Sequence, residues 1–207
     1  MARLDWRRRH ELSNWAIDHI CAPNVEQPED WPDAYRRGPI GLSPLYCGDY
    51  APGLTGVYAL LNGFKLLLAE AAPLRPGDEM MLLELGWSFM CGRGTIAPHI
   101  GMRRHSFVRL AEAMSFALSR RRGDWVRCET MQMEPDQRIQ AAATLERLLV
   151  AKRVVLILLG RGHYTVLRGY TPASWLIFDA MGRQWMRRRG VGRVTKFKAI
   201  PLLSRTS

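Results

Sequence analysis

A change of hydrophobic period near residue 153 constrains this chain more than any other feature of its sequence. Before it, Leu54, Val57, Tyr58, Leu61, Phe64 and Leu68 recur three and four apart, the period of a helix with a wide apolar face. After it, the runs 154–159, 164–168, 175–178 and 185–188 are short and rich in β-branched and aromatic residues. Turns bearing Gly, Pro or Ser separate them, and 194–203 is a fifth such run. Helices followed by a strand meander specify an α+β fold, with N-terminal helices packed on a C-terminal antiparallel sheet. Further helices are expected over 80–90, 106–120 and 136–149, the second built on Phe107, Leu110, Met114 and Leu118. Pro52 suits the first turn of the helix that carries Leu54 to Leu68, and Gly53 and Gly56 let a neighbour approach its start. Residues 1–46, punctuated by Pro23, Pro28, Pro32, Pro39 and Pro44, read as irregular apart from a short helix over 5–20. No repeat or linker divides the chain. A single domain, 1–207, is expected, with an irregular segment 1–46, a helical part 47–152 and a basic β-sheet part 153–207.

Charge follows the same division. Of 30 lysines and arginines, 12 lie from Lys152 onward, where Asp179 is the only acid, so the net charge of +11 belongs entirely to that part. A basic surface of this kind points to an anionic partner, nucleic acid, an acidic protein or a membrane face, or else to a solvated exterior. At 47% hydrophobic and 24% charged, the chain is neither disordered nor fibrous. Its longest apolar run, 154–159, is far too short to span a membrane. The first ten residues place no apolar core behind their basic residues, so no secretory signal is expected and the cytoplasm is the default location. Cys21, Cys47, Cys91 and Cys128 are too few and too scattered for a disulfide framework, and free thiols are expected.

No phosphate loop, dinucleotide fingerprint, His-Glu-x-x-His or Ca²⁺ loop occurs, and no cofactor is called for. His99 and His105 match no metal-ligand spacing and read as loop residues near a helix start. The stretch from His163 to Tyr170, followed by Trp175-Leu176-Ile177-Phe178-Asp179, is different. A histidine opens one strand and an aspartate closes the next, and a return strand retraces the advance of the first. Asp179 can then hold the imidazole of His163 in one tautomer, making it a general base. Cys47, in Tyr46-Cys47-Gly48-Asp49, lies just ahead of the long helix, whose positive end favours a thiolate. Cys91-Gly92 is a second Cys-Gly pair, but it follows a helix, where the dipole works against ionisation.

Cysteine before a buried helix, then histidine and aspartate on late strands, is the chain order of papain-like hydrolases. Cys47-Gly48, His163-Tyr164-Thr165-Val166 and Asp179 together resemble the double-glycine leader peptidases of bacteriocin exporters and their stand-alone relatives. The likeness covers about 41–72 and 153–190. It implies a papain-like fold, a Cys47–His163–Asp179 triad and a peptide or protein substrate cleaved at a peptide, isopeptide or related acyl bond. Where the family carries a glutamine six residues before the cysteine, this chain has Gly41, so backbone N–H groups around Gly48 are left to hold the oxyanion. Matched on the helix instead, Gly53 takes the family's glycine and Pro52 the nucleophile's place, which implies an inactive module. The work of such a module would fall to Arg183, Arg187, Arg188, Arg189 and Arg193 on nucleic acid or an acidic protein, with Trp175, Trp185 and Tyr170 as stacking surfaces.

Overall fold

The structure, a computed structural model, describes residues 34–39, 42–46, 54–91, 102–123, 125–131, 138–159, 163–188 and 200–205. The helix expected over 5–20 and residues 194–199 of the fifth run lie outside them. The described helices are α1 (Thr55–Leu68), α2 (Pro76–Cys91), α3 (Arg104–Arg122) and α4 (Arg138–Val150). The described strands are β1 (Tyr35–Arg36), β2 (Val126–Met131), β3 (Val154–Leu159), β4 (His163–Tyr170), β5 (Ser174–Phe178), β6 (Trp185–Arg187) and β7 (Ile200–Arg205).

All the pairings are antiparallel. Strand order is β2-β7-β3-β4-β5-β6, with β1 added beside the far end of β4. The meander of short runs is present as β3 to β6, but β7 does not extend it. It crosses to the other side of β3 and pairs Leu203 with Val154. Strand β2 pairs with β7 along its whole length, so one strand of the expected helical part belongs to the sheet.

Alternation along the strands sorts the core into two layers. Val154, Leu156, Tyr164, Val166, Phe178 and Leu203 face α1, α2 and α3. Val155, Ile157, Leu167, Trp175, Ile177 and Met186 face the other way, onto Leu145 and Leu149 of α4. The helices therefore lie on both faces: three on one and α4 on the other.

Helix α1 is apolar nearly all round and is buried accordingly, with Val57, Leu60, Phe64 and Leu68 fully enclosed. Its glycines allow close contact. A Cβ at Gly63 would stand 2.9 Å from Leu203 Cδ1 of β7. Helix α2 opens with Pro76 and carries Asp78 and Glu79 in its first turn, where the dipole favours acids. Asp78 accepts the Arg75 N–H at 3.2 Å and forms ion pairs with Arg121 at 3.0 Å and Arg122 at 3.7 Å, tying α2 to the end of α3. That end is capped by Gly123 at φ +72°, whose N–H donates to the Ser119 carbonyl. No helix among the described residues is long and apolar enough to cross a membrane.

Where α2 crosses α1, Gly86 leaves no room for a side chain. A Cβ there would stand 2.4 Å from Val57 Cγ1 and 3.0 Å from Met114 Cε. Val57 is β-branched and fully buried, so it has nowhere to turn. Gly86→Ala is expected to destabilise the fold by about 1–3 kcal/mol through overpacking, although alanine favours helix; urea denaturation measures the difference.

Candidate functional site

His163 is the first residue of β4 and pairs with Leu159 across the β3–β4 hairpin. Asp179 follows the last residue of β5. Because Val166 pairs with Phe178, Asp179 falls opposite Thr165, two positions along from His163 and on the same face. The two side chains meet there. The His163 Nε2–H donates to Asp179 Oδ1 at 2.7 Å, with the imidazole 8% exposed and the carboxylate fully enclosed. The other carboxylate oxygen, Oδ2, accepts the Met181 N–H at 3.0 Å, in a turn closed by Gly182 at φ +82°.

Burial alone would raise the pKa of Asp179. The hydrogen bond and charge of His163, helped by the Met181 N–H, outweigh it and hold the carboxyl below its ordinary value. An ionised carboxylate only accepts, so it fixes the imidazole proton on Nε2 and leaves the lone pair on Nδ1. Among the described residues nothing hydrogen-bonds to Nδ1. The pair is thus a base with its free nitrogen directed away from its orienting acid.

The next residue, Tyr164, points to the opposite face and fixes the helices against this end of β4. Its ring stacks on Phe107, with centroids 3.9 Å apart, and its hydroxyl donates to the Met102 carbonyl at 2.8 Å. A Cβ at Gly56, in the first turn of α1, would lie 3.4 Å from Tyr164 Cδ2. The start of the buried helix therefore lies beside the start of the histidine strand. Burial raises the Tyr164 pKa, and the hydroxyl remains a donor.

The segment leading toward Cys47 is held by two polar side chains that sequence reasoning did not single out. Asn62, fully buried on α1, accepts the Leu45 N–H at 2.6 Å and donates to the Leu45 carbonyl at 3.1 Å, as a neighbouring strand would. Arg168 is the extra residue of a bulge between Leu167 and Gly169, and its guanidinium is turned onto the same segment. It donates to the carbonyls of Arg37 (3.0 Å), Pro39 (3.0 Å) and Leu42 (3.4 Å), and its own carbonyl accepts the Arg37 N–H. Gly169 makes this approach possible, since a Cβ there would come within 2.0 Å of the Tyr35 carbonyl oxygen. Tyr46, 59% exposed, lies against the turn that follows Asp179: a Cβ at Gly182 would stand 3.6 Å from its Cε1. An asparagine within an apolar helix and an arginine within an apolar strand were the available signals.

Cys47 and Gly48 lie outside the described residues, as do Gly41, Pro52, Gly53, Cys21, His99, Arg189 and Arg193. Cys91 is exposed as the last residue of α2, at the negative end of that helix. Burial, with Glu112 and Glu129 nearby, pushes the Cys128 thiol up to about 12. His105 is exposed on α3. Among the described residues no group of three His, Cys, Asp or Glu could hold a metal ion.

Two residues of the expected binding surface are engaged within the chain. Arg188 is half-buried, ion-paired with Glu146 and donating to the Thr171 carbonyl at 3.1 Å. Its guanidinium also lies over the rings of Trp175 and Tyr170. Trp175 is fully buried against α4 and offers no stacking surface. Arg187 is exposed at the β6 edge, while Arg183 is half-buried.

No family model matches the chain, and no curated protein matches it. Among solved structures, it is similar to the crystal structure of a double glycine motif protease from an AMS/PCAT transporter in complex with the leader peptide. That similarity has 12% identity, 85% coverage of this chain, 100% coverage of the other and a TM-score of 0.46. At that score the likeness carries no argument, and the site's chemistry rests on its own geometry.

Two substitutions probe that geometry. Asn62→Leu keeps the number and branching of the side-chain heavy atoms but strands the Leu45 N–H and carbonyl; a loss of about 1–3 kcal/mol is expected in urea denaturation. Asp179 has a folded pKa below its unfolded one. Its contribution is therefore fully present above about pH 4 and is lost as pH falls through the lowered value. Asp179→Asn is expected to flatten the acid limb of a Tm-against-pH profile, and a limb as steep as the parent's would assign the acid loss elsewhere.

Proposed function

We propose that this chain is a papain-like thiol hydrolase that cleaves a peptide, isopeptide or related acyl bond, with Cys47 as nucleophile, His163 as general base and Asp179 as the group that orients His163. The observation that carries this reading is the buried 2.7 Å contact between His163 Nε2 and Asp179 Oδ1, which leaves Nδ1 as a base. Three further facts support it. The first turn of α1 lies beside Tyr164, Asn62 and Arg168 fix the segment ending at Tyr46, and Tyr46 borders the turn that follows Asp179. Cys47 is the next residue in the chain.

In the proposed reaction the Cys47 thiol transfers its proton to His163 Nδ1, and the thiolate attacks the acyl carbon. The negative oxygen of the tetrahedral intermediate is held by backbone N–H groups around Gly48, with no glutamine at position 41 to assist. As the intermediate collapses, the carbon–nitrogen bond breaks. Imidazolium Nδ1–H then protonates the departing amine, leaving a thioester on Cys47. Water, deprotonated by Nδ1, attacks the thioester, releasing the acid and restoring the thiol. Throughout, Asp179 stabilises the imidazolium and keeps the ring from turning, so the same nitrogen serves both half-reactions.

The test is the rate of Cys47 alkylation by iodoacetamide at pH 6, read by peptide mass spectrometry in the parent and in His163→Ala. An ordinary thiol is less than about one per cent thiolate at that pH. Cys47 is expected to label well ahead of Cys91 and Cys128 and to lose that lead, by about tenfold or more, in the variant. Labelling no faster than Cys91 and indifferent to His163 would mean an unactivated thiol and would end the hydrolase reading.

A further inference from the structure

Side chains alternate along β4, so Thr165 shares its face with His163 and Leu167. It pairs with Ile157 of β3 on one side and stands across from Asp179 on the other. Thr165 and Asp179 are both fully buried. A buried hydroxyl costs stability unless it finds an acceptor, and a valine would fill the same space without that cost. Among the described residues the Thr165 hydroxyl completes no hydrogen bond, yet it lies close enough to the Asp179 carboxylate to help hold that carboxyl below its ordinary value.

The surroundings leave it one side-chain acceptor. Ile157 and Leu167 have none, nor do Leu145 and Leu149, the α4 side chains buried on this face. The His163 Nε2–H is itself a donor. Asp179 has capacity to spare: a carboxylate offers about four lone-pair sites, and His163 and the Met181 N–H occupy two of them. We infer that Thr165 is a positioning residue, whose hydroxyl turns to donate to Asp179 and gives the carboxylate a third anchor beside His163 and Met181. That anchor belongs to the strand that carries the base, so carboxylate and imidazole are referred to the same backbone. Oδ1 then stays on Nε2 while the ring gains and loses its proton. The role in catalysis rests on the thiol-hydrolase reading; the contact does not.

The test compares the parent with Thr165→Val, which keeps the shape and removes the hydroxyl, and Thr165→Ser, which keeps the hydroxyl and removes a methyl group. Two quantities are followed from neutral pH into the acid range: Tm, and the carboxyl carbon-13 resonance of Asp179, assigned by its loss in Asp179→Asn. Among the described residues His163 is the only titratable group acting on Asp179, so the resonance reports this contact. Thr165→Val is expected to raise the Asp179 midpoint by about one pH unit. It is also expected to lower Tm at neutral pH, with the deficit shrinking as Asp179 is protonated. Thr165→Ser is expected to keep the parent's midpoint although it loses packing. A midpoint unmoved in Thr165→Val overturns the inference, as does a serine variant displaced as far as the valine one. So does a valine variant more stable than the parent at neutral pH, which is the outcome for an unpaired hydroxyl. In a parent whose Cys47 labels early at pH 6, Thr165→Val is expected to slow the labelling and Thr165→Ser to preserve it; indifference to both overturns the positioning role. A parent whose Cys47 does not label early ends the hydrolase reading and leaves the contact to stand on the titration.

Discussion

Strand β3 has no polar face. Val154, Val155, Leu156 and Ile157 are all buried, the even positions under α1 to α3 and the odd ones under α4. Such a strand has to be covered on both sides and paired on both edges, because an uncovered face would expose several apolar side chains to water. Much of the architecture follows. Strand β4 takes one edge through a short hairpin. The other edge is taken by β7, which must cross back from beyond β6 to reach it. Helix α4, immediately before β3, covers the face that α1, α2 and α3 do not. The hairpin that satisfies the first edge also puts His163 at the mouth of the sheet, so the site's position derives from packing and not from the site itself.

The approach to the site is held differently. Around residues 37–39 and 42–45, hydrogen bonds from buried Arg168 and Asn62 to backbone groups add to the packing of Leu42 and Leu45 on the core. A buried amide or guanidinium is costly unless its partners are in place, and here the partners are carbonyls and an N–H that would themselves be stranded without it. Each side chain therefore holds the segment to one path. This is the kind of restraint that a residue two positions beyond Leu45 needs if it is to meet a particular ring nitrogen.

Periodicity revealed the elements whose burial is regular. Helix α1, β3, β4 and β5 lie within two residues of their expected bounds because their side chains meet water and core in a repeating order. The His163–Asp179 contact was legible for the same reason: a hairpin converts a sequence interval into a distance. Strand β2 was not, since only Val126 on it is fully buried and its charged residues interrupt any apolar run. Pairing of β7 with β3 was illegible because partners so far apart in sequence leave no local trace. The contacts of Arg188 and Trp175 were illegible for a related reason. Composition counts charges and rings but does not say which of them Glu146 and α4 enclose.

Two arginines engaged within the chain bear on how the basic excess is to be understood. Arg168 contacts three carbonyls at once through Nε and both terminal nitrogens, which a lysine ammonium on a single flexible stem does not match in geometry. Arg188 likewise spans a carboxylate, a carbonyl and two aromatic faces. Positive charge in this part of the chain is thus partly structural, chosen for the planar fork and not for attraction to a distant anion. Asp179 is the only acid beyond Lys152 in this basic stretch of the sequence. Its ionisation is set locally by His163 and the Met181 N–H, and these outweigh its complete burial. A carboxylate held ionised in that way does not take up the imidazole proton; it fixes which nitrogen carries it, and so decides which one is left to act as a base.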